Sequence, residues 1–497
     1  MNKYLAILLA VLSSTEVQAQ NLKSVPRLVV NITVDQLRND LLEQYAQMYS
    51  PDGIRKLTTQ GLVYESSGYS FSPVDPASAI ASLSTGSAPH YNNIIGTSWL
   101  NRSTLRPMSC VDDQKFVASP NQLSVSTISD ELKIATNGAA IVYGLGENKE
   151  TAILSSGHAA DGAVWMGADH KWTTSAYYPA ESRKWIESYQ RVSSTDAKMT
   201  DVNDQICKLA LECVRSHAMG RDAVTDFLAV TLSGAKGKLN EEYYLSLDRT
   251  LANLISQIEG EIGKDNVLFI VTSTGCEDEE KTDYSKYKVP TGTFYINRTA
   301  NLMNIYLSAI YGQGRYVDGC FKNQIFLNHQ LIDQKQLSLN DVLNRSQEFL
   351  LQNAGVKDVY TSTQLLRGGN DIVKLHNGYC SENAGDLIIG INPGWQLKNE
   401  VTGENYTFRL GLVSFPIVFY GAGIQPQRVT APVTVDRIAP TVAKAIRIRA
   451  PNACTAEPLF SVFQPVRLFS SFTFLYKRAI LRDYFRNFAL VIIRQIK

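Results

Sequence analysis

The chain has 497 residues, 44% apolar and 19% charged, with 48 basic against 47 acidic side chains and a formal net charge of +1. This composition suits a folded globular protein, and the length accommodates either two or three ordinary domains or one large α/β domain with insertions. The near-zero charge removes any electrostatic reason to expect nucleic acid or an acidic substrate as a partner.

Taken in order, the chain opens with Lys3, a short apolar stretch Tyr4–Leu12 and the small-residue site Val17-Gln18-Ala19. These predict a secretion signal over residues 1–19 and a periplasmic or secreted protein that begins near Gln20. The apolar stretch is too short to span a bilayer. Next comes RLVVNITVDQ at 27–36, whose β-branched apolar run predicts a buried central strand ending at Asp35. The carboxyl edge of an open α/β sheet is where ligands bind, and a carboxylate there is a natural cation ligand. Pro73-Val74-Asp75-Pro76 followed by the small residues Ala77–Thr85 predicts a helix head packed close to a sheet.

Elements then alternate. Helices are expected at Thr127–Thr136, Asp204–His217 and Tyr244–Ile262, and strands at Ala139–Tyr143, Phe227–Leu232 and Val267–Thr272. The Asp204–His217 helix is amphipathic, with Ile206, Leu209, Ala210 and Cys213 on one face. Such alternation implies a parallel sheet covered on both faces. Residues 290–376 break the rhythm with a helix Ala300–Tyr311, a hairpin around Gly314–Leu327 and a helix Leu339–Asn353, and read as an inserted cap subdomain. Asp386–Ile391 and Pro416–Tyr420 are assigned back to the main sheet, with a last helix at Val435–Ala445. The domain plan is thus a core of 20–289 and 377–460, a cap of 290–376 and a C-terminal tail of 461–497. Of the seven cysteines none forms a C-x-x-C pair, which argues against structural zinc, and Cys207 and Cys213 are one candidate disulfide pair.

Several of these segments, in this order, resemble the alkaline phosphatase superfamily, in its secreted bacterial phosphate-monoesterase branch close to the type I phosphodiesterase/nucleotide pyrophosphatases. They are VDQ at 34–36, the STG…P…IIG..W stretch from Ser84 to Trp99, CVDD at 110–113 and AILSSGHAADGAVW at 152–165. DFLAVTLS at 226–233, NGYCSENAGDLIIGINPGW at 377–395, FPIVFYG at 415–421 and IAPTVAKAIRIRAPNACTAEPL at 438–459 complete the set. The resemblance implies an alkaline-phosphatase-like α/β fold, with a central, mostly parallel sheet, helices on both faces and an inserted cap subdomain. It also implies a reaction in which two metal ions activate a Thr or Ser nucleophile and stabilise the in-line transition state.

Carried over position by position, the resemblance implies a degenerate site. Asp35 keeps the first-strand metal ligand, but the nucleophile falls on Pro76, which has no hydroxyl. The phosphoryl-contacting Asn falls on Thr97, and the Lys-x-Arg clamp falls on Asn148 and Glu150, where a carboxylate would repel a phosphate. The Asp and His that follow Phe227–Leu232 meet a shortened loop, Ser233–Lys238. The adjacent Asp-His pair falls on Thr274 and Gly275, and the distal His on Ser414. Asp35 is then the one remnant of six ligands, and is read as a cap on backbone N–H groups at the head of the helix after Pro76. The six histidines show no ligand spacing and read as structural.

The expectation is a secreted pseudoenzyme or binding protein that has lost metal-dependent phosphate-ester hydrolysis, with no cofactor. The alternative is an active phosphatase or phosphodiesterase with a rearranged site, for which Asp75, Cys276 and Glu277 are the hints, and with zinc if the family activity is retained. The acidic run after Cys276 otherwise reads as a solvated loop face. Asp35, Pro76, Thr97, Thr274 and Ser414 are expected to share one pocket at the carboxyl edge of the sheet. No partner follows from the sequence. The tail from Phe463 to Lys497 carries seven basic residues against Asp483, with Leu481, Phe485, Phe488, Ile492 and Ile496 mainly on a separate helical face. It reads as a segment that docks on its own domain or stays disordered, as a peripheral contact with an anionic membrane or protein partner, or as a shifted reading frame.

Overall fold

The computed structural model describes residues 25–193, 201–235, 239–275, 284–406, 414–459 and 462. The predicted signal at 1–19, Lys236 and Lys238, the Cys276–Glu280 run and the tail beyond 462 lie outside these residues.

The central strand β1 (Leu28–Val34) is buried along all seven residues. Leu28, Val30, Ile32 and Val34 join a core cluster with Ile206, Leu209, Cys213, Leu254 and Ile258 from the helices Val202–Ser216 and Glu241–Ile262. Because side chains alternate along a strand, Val29, Asn31 and Thr33 point to the opposite face. Burial of both faces explains why the run shows no polar alternation.

The main sheet adds β2 (Leu62–Gly68), β3 (Val142–Gly146), β4 (Gly162–Met166), β5 (Trp172–Thr174), β6 (Asp226–Leu232), β7 (Val267–Ser273), β8 (Phe415–Gly421) and β9 (Gln427–Val429). Its order is β9-β2-β8-β7-β1-β6-β3-β4-β5. The central run β7-β1-β6-β3-β4 is parallel throughout, whereas β8 runs antiparallel to β7 and β2, and β5 to β4. The expected strand at Ala139–Tyr143 starts later, at Val142, because the preceding helix Ile128–Ala135 unwinds through Asn137 and Gly138 at positive φ. β3 is poor in β-formers for a steric reason. A Cβ on Gly144 would lie 2.4 Å from the Ala152 carbonyl of the helix Lys149–Ser156, so glycine lets that helix sit directly on the strand.

A second layer has its own core around Phe294, Met303, Leu307, Tyr316, Ile325, Leu343 and Leu387. The predicted hairpin is present as Val317–Phe321 and Gln324–Leu327. The helices Ile296–Tyr311 and Leu339–Leu351 belong to this layer. One assignment is corrected. Leu387–Ile391 does not return to the main sheet but pairs antiparallel with Gln324–Leu327 and with Val356–Thr361 in a four-stranded sheet. Its apolar run LIIGI resembles a core strand, yet only Leu387 and Ile389 are fully buried, the one-faced pattern of an antiparallel sheet. The candidate pair Cys207–Cys213 is also corrected. Both thiols are free and buried, because positions six apart on one helix point in different directions, and the other described cysteines are free as well.

Candidate functional site

Strand register sets the site. Val34 of β1 pairs with Leu232 of β6 and Ser273 of β7, and Thr231 pairs with Gly146 of β3. Asp35, Ser233, Thr274 and Glu147 therefore leave the parallel strands side by side at one carboxyl edge. Because β8 is antiparallel, its amino end comes to the same edge, which brings Ser414 there. β2 is antiparallel to β8, with Ser67 opposite Phe415, so the loop that leads to Pro76 also starts at this edge.

Two hydrogen-bonded groups form along it. In the first, the Thr274 hydroxyl donates to Asp35 Oδ1 at 2.5 Å, and the Gln36 N–H donates to Thr274 Oγ1 at 3.4 Å. Gln36 takes a positive φ of 61° to turn the chain here. Gly234 lies against Gln36 and the Asp35 carbonyl. The Tyr243 hydroxyl donates to the Ser233 carbonyl at 2.8 Å, and burial, followed by Tyr244 and Asp35, pushes its phenol well above the ordinary value. Gly275 has φ +64°, and a Cβ there would stand 2.5 Å from the Phe415 ring and 2.9 Å from that of Tyr69. Tyr69 is held by its hydroxyl on the Ser273 carbonyl at 3.0 Å. Ser414 points its hydroxyl to the Glu65 carbonyl, while its own carbonyl accepts from the Asn39 N–H.

In the second group, Asp75 is the N-cap of the helix Pro76–Thr85, accepting from the Ala77 N–H at 3.0 Å and closing a capping box with Ser78. Pro76 occupies the first helical position, where its missing N–H costs nothing. The Thr97 hydroxyl donates to Asp75 Oδ1 at 2.5 Å, and the Thr97 carbonyl accepts from the Cys110 N–H. Glu150 lies in the first turn of the helix Lys149–Ser156 and accepts from the Ser109 hydroxyl at 2.7 Å. Asn148 is that helix's N-cap residue but makes no side-chain cap bond. Burial first, then the charges of Glu150 and Asp75, push the Cys110 thiol well up. At the strand ends the Ser233 hydroxyl also donates to Glu147, three residues before Glu150 in the chain.

Thus Asp35 meets Thr274, and Pro76 and Thr97 meet through Asp75. The helix head is capped by Asp75 rather than by Asp35, which corrects that reading. Asp75 is nearer in sequence and its extended backbone suits an N-cap, whereas Asp35 is turned onto β7. The sequence does not single out Glu147, and it marks Ser233 only as the first residue of the shortened loop Ser233–Lys238. The available signal was their position directly after the ends of two central strands. Two clefts, of about 440 and 320 Å³, are lined by second-layer residues and not by this edge. Among the described residues no group of three or more His, Cys, Asp or Glu side chains is placed to hold a metal ion. At this edge the carboxylates Asp35, Asp75, Glu147 and Glu150 each accept from a hydroxyl, of Thr274, Thr97, Ser233 and Ser109, and are not gathered into a ligand set for a pair of divalent cations.

The backbone superposes on the solved structure of alkaline phosphatase PafA with a TM-score of 0.77, at 23% identity over 88% of this chain and 99% of that one. The fold is therefore the alkaline phosphatase fold, with a large, mostly parallel sheet and flanking helices. The sequence profile described as Type I phosphodiesterase / nucleotide pyrophosphatase matches residues 29–410, and the chain belongs to that family. Among curated relatives, alkaline phosphatase PafA of Elizabethkingia meningoseptica is 24% identical over 93% of this chain and 98% of its own length. A Myroides odoratus protein named calcium-transporting ATPase is 26% identical over 87% of this chain and 94% of its own.

Proposed function

We propose that this member of the family is a secreted or periplasmic pseudoenzyme, which keeps the phosphatase fold as a binding scaffold and does not hydrolyse phosphate esters through a metal pair. The observation that carries the reading is the state of the carboxyl edge. Asp35, the one carboxylate at a ligand position of the family pattern, accepts the Thr274 hydroxyl at 2.5 Å. The next position, Gly275, has no room for a larger side chain beside Phe415 and Tyr69. Pro76 offers no nucleophilic oxygen, and the acidic Glu150 stands where a phosphoryl group would need a cation.

The test is the zinc content of the purified mature protein together with its hydrolysis of an aryl phosphate and an aryl phosphodiester. The expected outcome is no metal-dependent turnover and no zinc whose retention depends on Asp35. Two zinc ions per chain, with turnover abolished by Asp35→Ala, would overturn the reading in favour of an active phosphoric ester hydrolase.

A further inference from the structure

Of the chain's six histidines, all but His170 make ring hydrogen bonds among the described residues, and these bonds sort them. His158 engages Asp130 through Nδ1 and the Leu123 carbonyl through Nε2. His217 engages the Cys213 carbonyl through Nδ1 and the Tyr143 hydroxyl through Nε2, and His329 engages Asp386 through Nε2. His90 and His376 differ. Each places Nδ1 on a main-chain carbonyl, that of Tyr379 at 3.0 Å and that of Leu365 at 2.6 Å. A carbonyl can only accept, so in both neutral rings Nδ1 carries the proton and Nε2 carries the lone pair. Neither Nε2 has a hydrogen-bond partner among the described residues. The two rings are also each other's neighbours, with centroids 4.4 Å apart and planes inclined by 37°.

Two imidazoles on adjacent positions of one metal ion, bound at about 2.0–2.1 Å and near a right angle, have ring centres roughly 4.5 Å apart. An Nδ1–H donated to a carbonyl is the outer-shell bond that fixes the tautomer and orientation of a metal-bound histidine. We propose that His90 and His376 form a two-imidazole site for a divalent transition-metal ion, with Cu²⁺ the ion that fits best. A centroid distance of 4.4 Å matches the spacing of two imidazoles on neighbouring corners of a tetragonal Cu²⁺, and nitrogen ligands favour Cu²⁺ most strongly among the divalent first-row ions. Both side chains are half-buried, so water has access to complete the coordination. No third protein ligand of the His, Cys, Asp or Glu type joins them among the described residues, so this site binds more weakly than a four-ligand structural site.

Position gives the site a consequence. His90 lies in the short helix Pro89–Asn92, just after the Pro76–Thr85 helix, and His376 lies in Val373–Asn377. The second segment already holds the loop that leads to Pro76, through the Ser72 N–H on the Lys374 carbonyl and the Asn377 amide on the Ser70 carbonyl, both at 2.9 Å. A bound ion would tie these two segments together and stabilise the folded chain by mass action. The site is independent of Asp35 and of any hydrolytic activity.

The test is Cu²⁺ titration of the full mature protein by calorimetry and electron paramagnetic resonance, on wild type, His90→Asn, His376→Asn and Asp35→Ala. Asparagine keeps an N–H donor for each carbonyl and removes the Nε2 lone pair, so folding, checked by circular dichroism, is preserved. A second measurement on unmodified protein is the rate at which diethylpyrocarbonate modifies the two rings with and without Cu²⁺. The expected result is one Cu²⁺ per chain with coupling to two imidazole nitrogens, a rise in Tm on loading, and slower modification of both rings. Affinity should fall at least tenfold in either histidine variant and stay unchanged in Asp35→Ala. Absence of Cu²⁺ binding by wild type, or an affinity in the histidine variants as high as that of wild type, or no protection of the rings, would overturn the proposal.

Discussion

Asp35 and Thr274 meet across 239 residues of sequence, and their contact ties the carboxyl end of the first strand to that of its neighbour β7. Thr274 is fully buried and serves twice, as donor to Asp35 and as acceptor for the Gln36 N–H. Thr274→Val keeps the shape and removes both bonds. It should cost about 1–3 kcal/mol, the penalty for leaving buried polar groups without that partner. Thr274→Ser should stay close to wild type, and a urea titration of the three proteins reads the difference. A second residue-scale prediction concerns His158. Burial works against its imidazolium, but the hydrogen bond and charge of Asp130 outweigh that and raise it above 6.5. For Asp130, burial is opposed by His158 and by backbone N–H donors, with the net effect of lowering it below 3.8. The histidine's contribution is fully present below its unfolded value of about 6.5 and is lost as pH rises through its folded value. The carboxylate's contribution is present above about 4 and is lost as pH falls through its folded value. Unfolding free energy should therefore fall as pH rises above about 6.5, and His158→Gln should flatten that slope. An unchanged slope in the variant would remove the pair from the pH dependence.

At the scale of the element, the helix Pro76–Thr85 has a head built from an aspartate, a serine and a proline. Asp75 caps it, Ser78 returns the bond, and proline sits where a donor is not needed. Asp75→Ala removes the cap and leaves the Thr97 hydroxyl without its acceptor. The loss should be about 0.5–2 kcal/mol, the range for N-cap truncation, seen as a lower midpoint in chemical denaturation with an unchanged slope. Asp75→Asn should recover most of it, because an amide oxygen still accepts from the Ala77 N–H. If Asp75→Ala proved neutral, the cap would be ornamental and Pro76 alone would define the helix start.

At the scale of the whole molecule, the second layer is joined to the rest partly through Asp386. This carboxylate, 2% exposed, accepts from Arg102 at 3.1 Å, His329 at 2.8 Å and the Leu327 N–H at 2.7 Å. Arg102 comes from the turn between the paired strands Ser98–Asn101 and Arg106–Ser109, which follow Thr97 directly. The ion pair thus connects the chain around Thr97 to the second layer's central strand. Arg102→Ala should cost about 1.5–3 kcal/mol, less than a fully orphaned buried charge, because His329 and a backbone donor remain. Thermal unfolding of Arg102→Ala and Arg102→Lys would show whether the two-pronged guanidinium, rather than charge alone, makes the link.

Much of this organisation was legible in the chain. The apolar runs marked the core strands because strands buried on both faces need uninterrupted β-branched and aromatic residues, and amphipathic spacing marked the covering helices. The family segments identified the fold, and the residue types at Pro76, Thr97, Thr274 and Gly275 are what motivate the pseudoenzyme proposal. What the chain could not disclose was who meets whom. The run LIIGI fits either sheet by pattern, and only its burial on one face and its pairing with Gln324–Leu327 assign it to the second layer. Asp35 was the expected cap of one helix, and the turn after β1 gave Asp35 to Thr274 and left the cap to Asp75. His90 and His376 show no ligand spacing, yet the fold brings their rings together. Local sequence determines the period of burial and the propensity of each segment, because these depend on neighbouring residues. The partner of a polar side chain depends on register and packing between distant segments, and those exist only once the chain has folded.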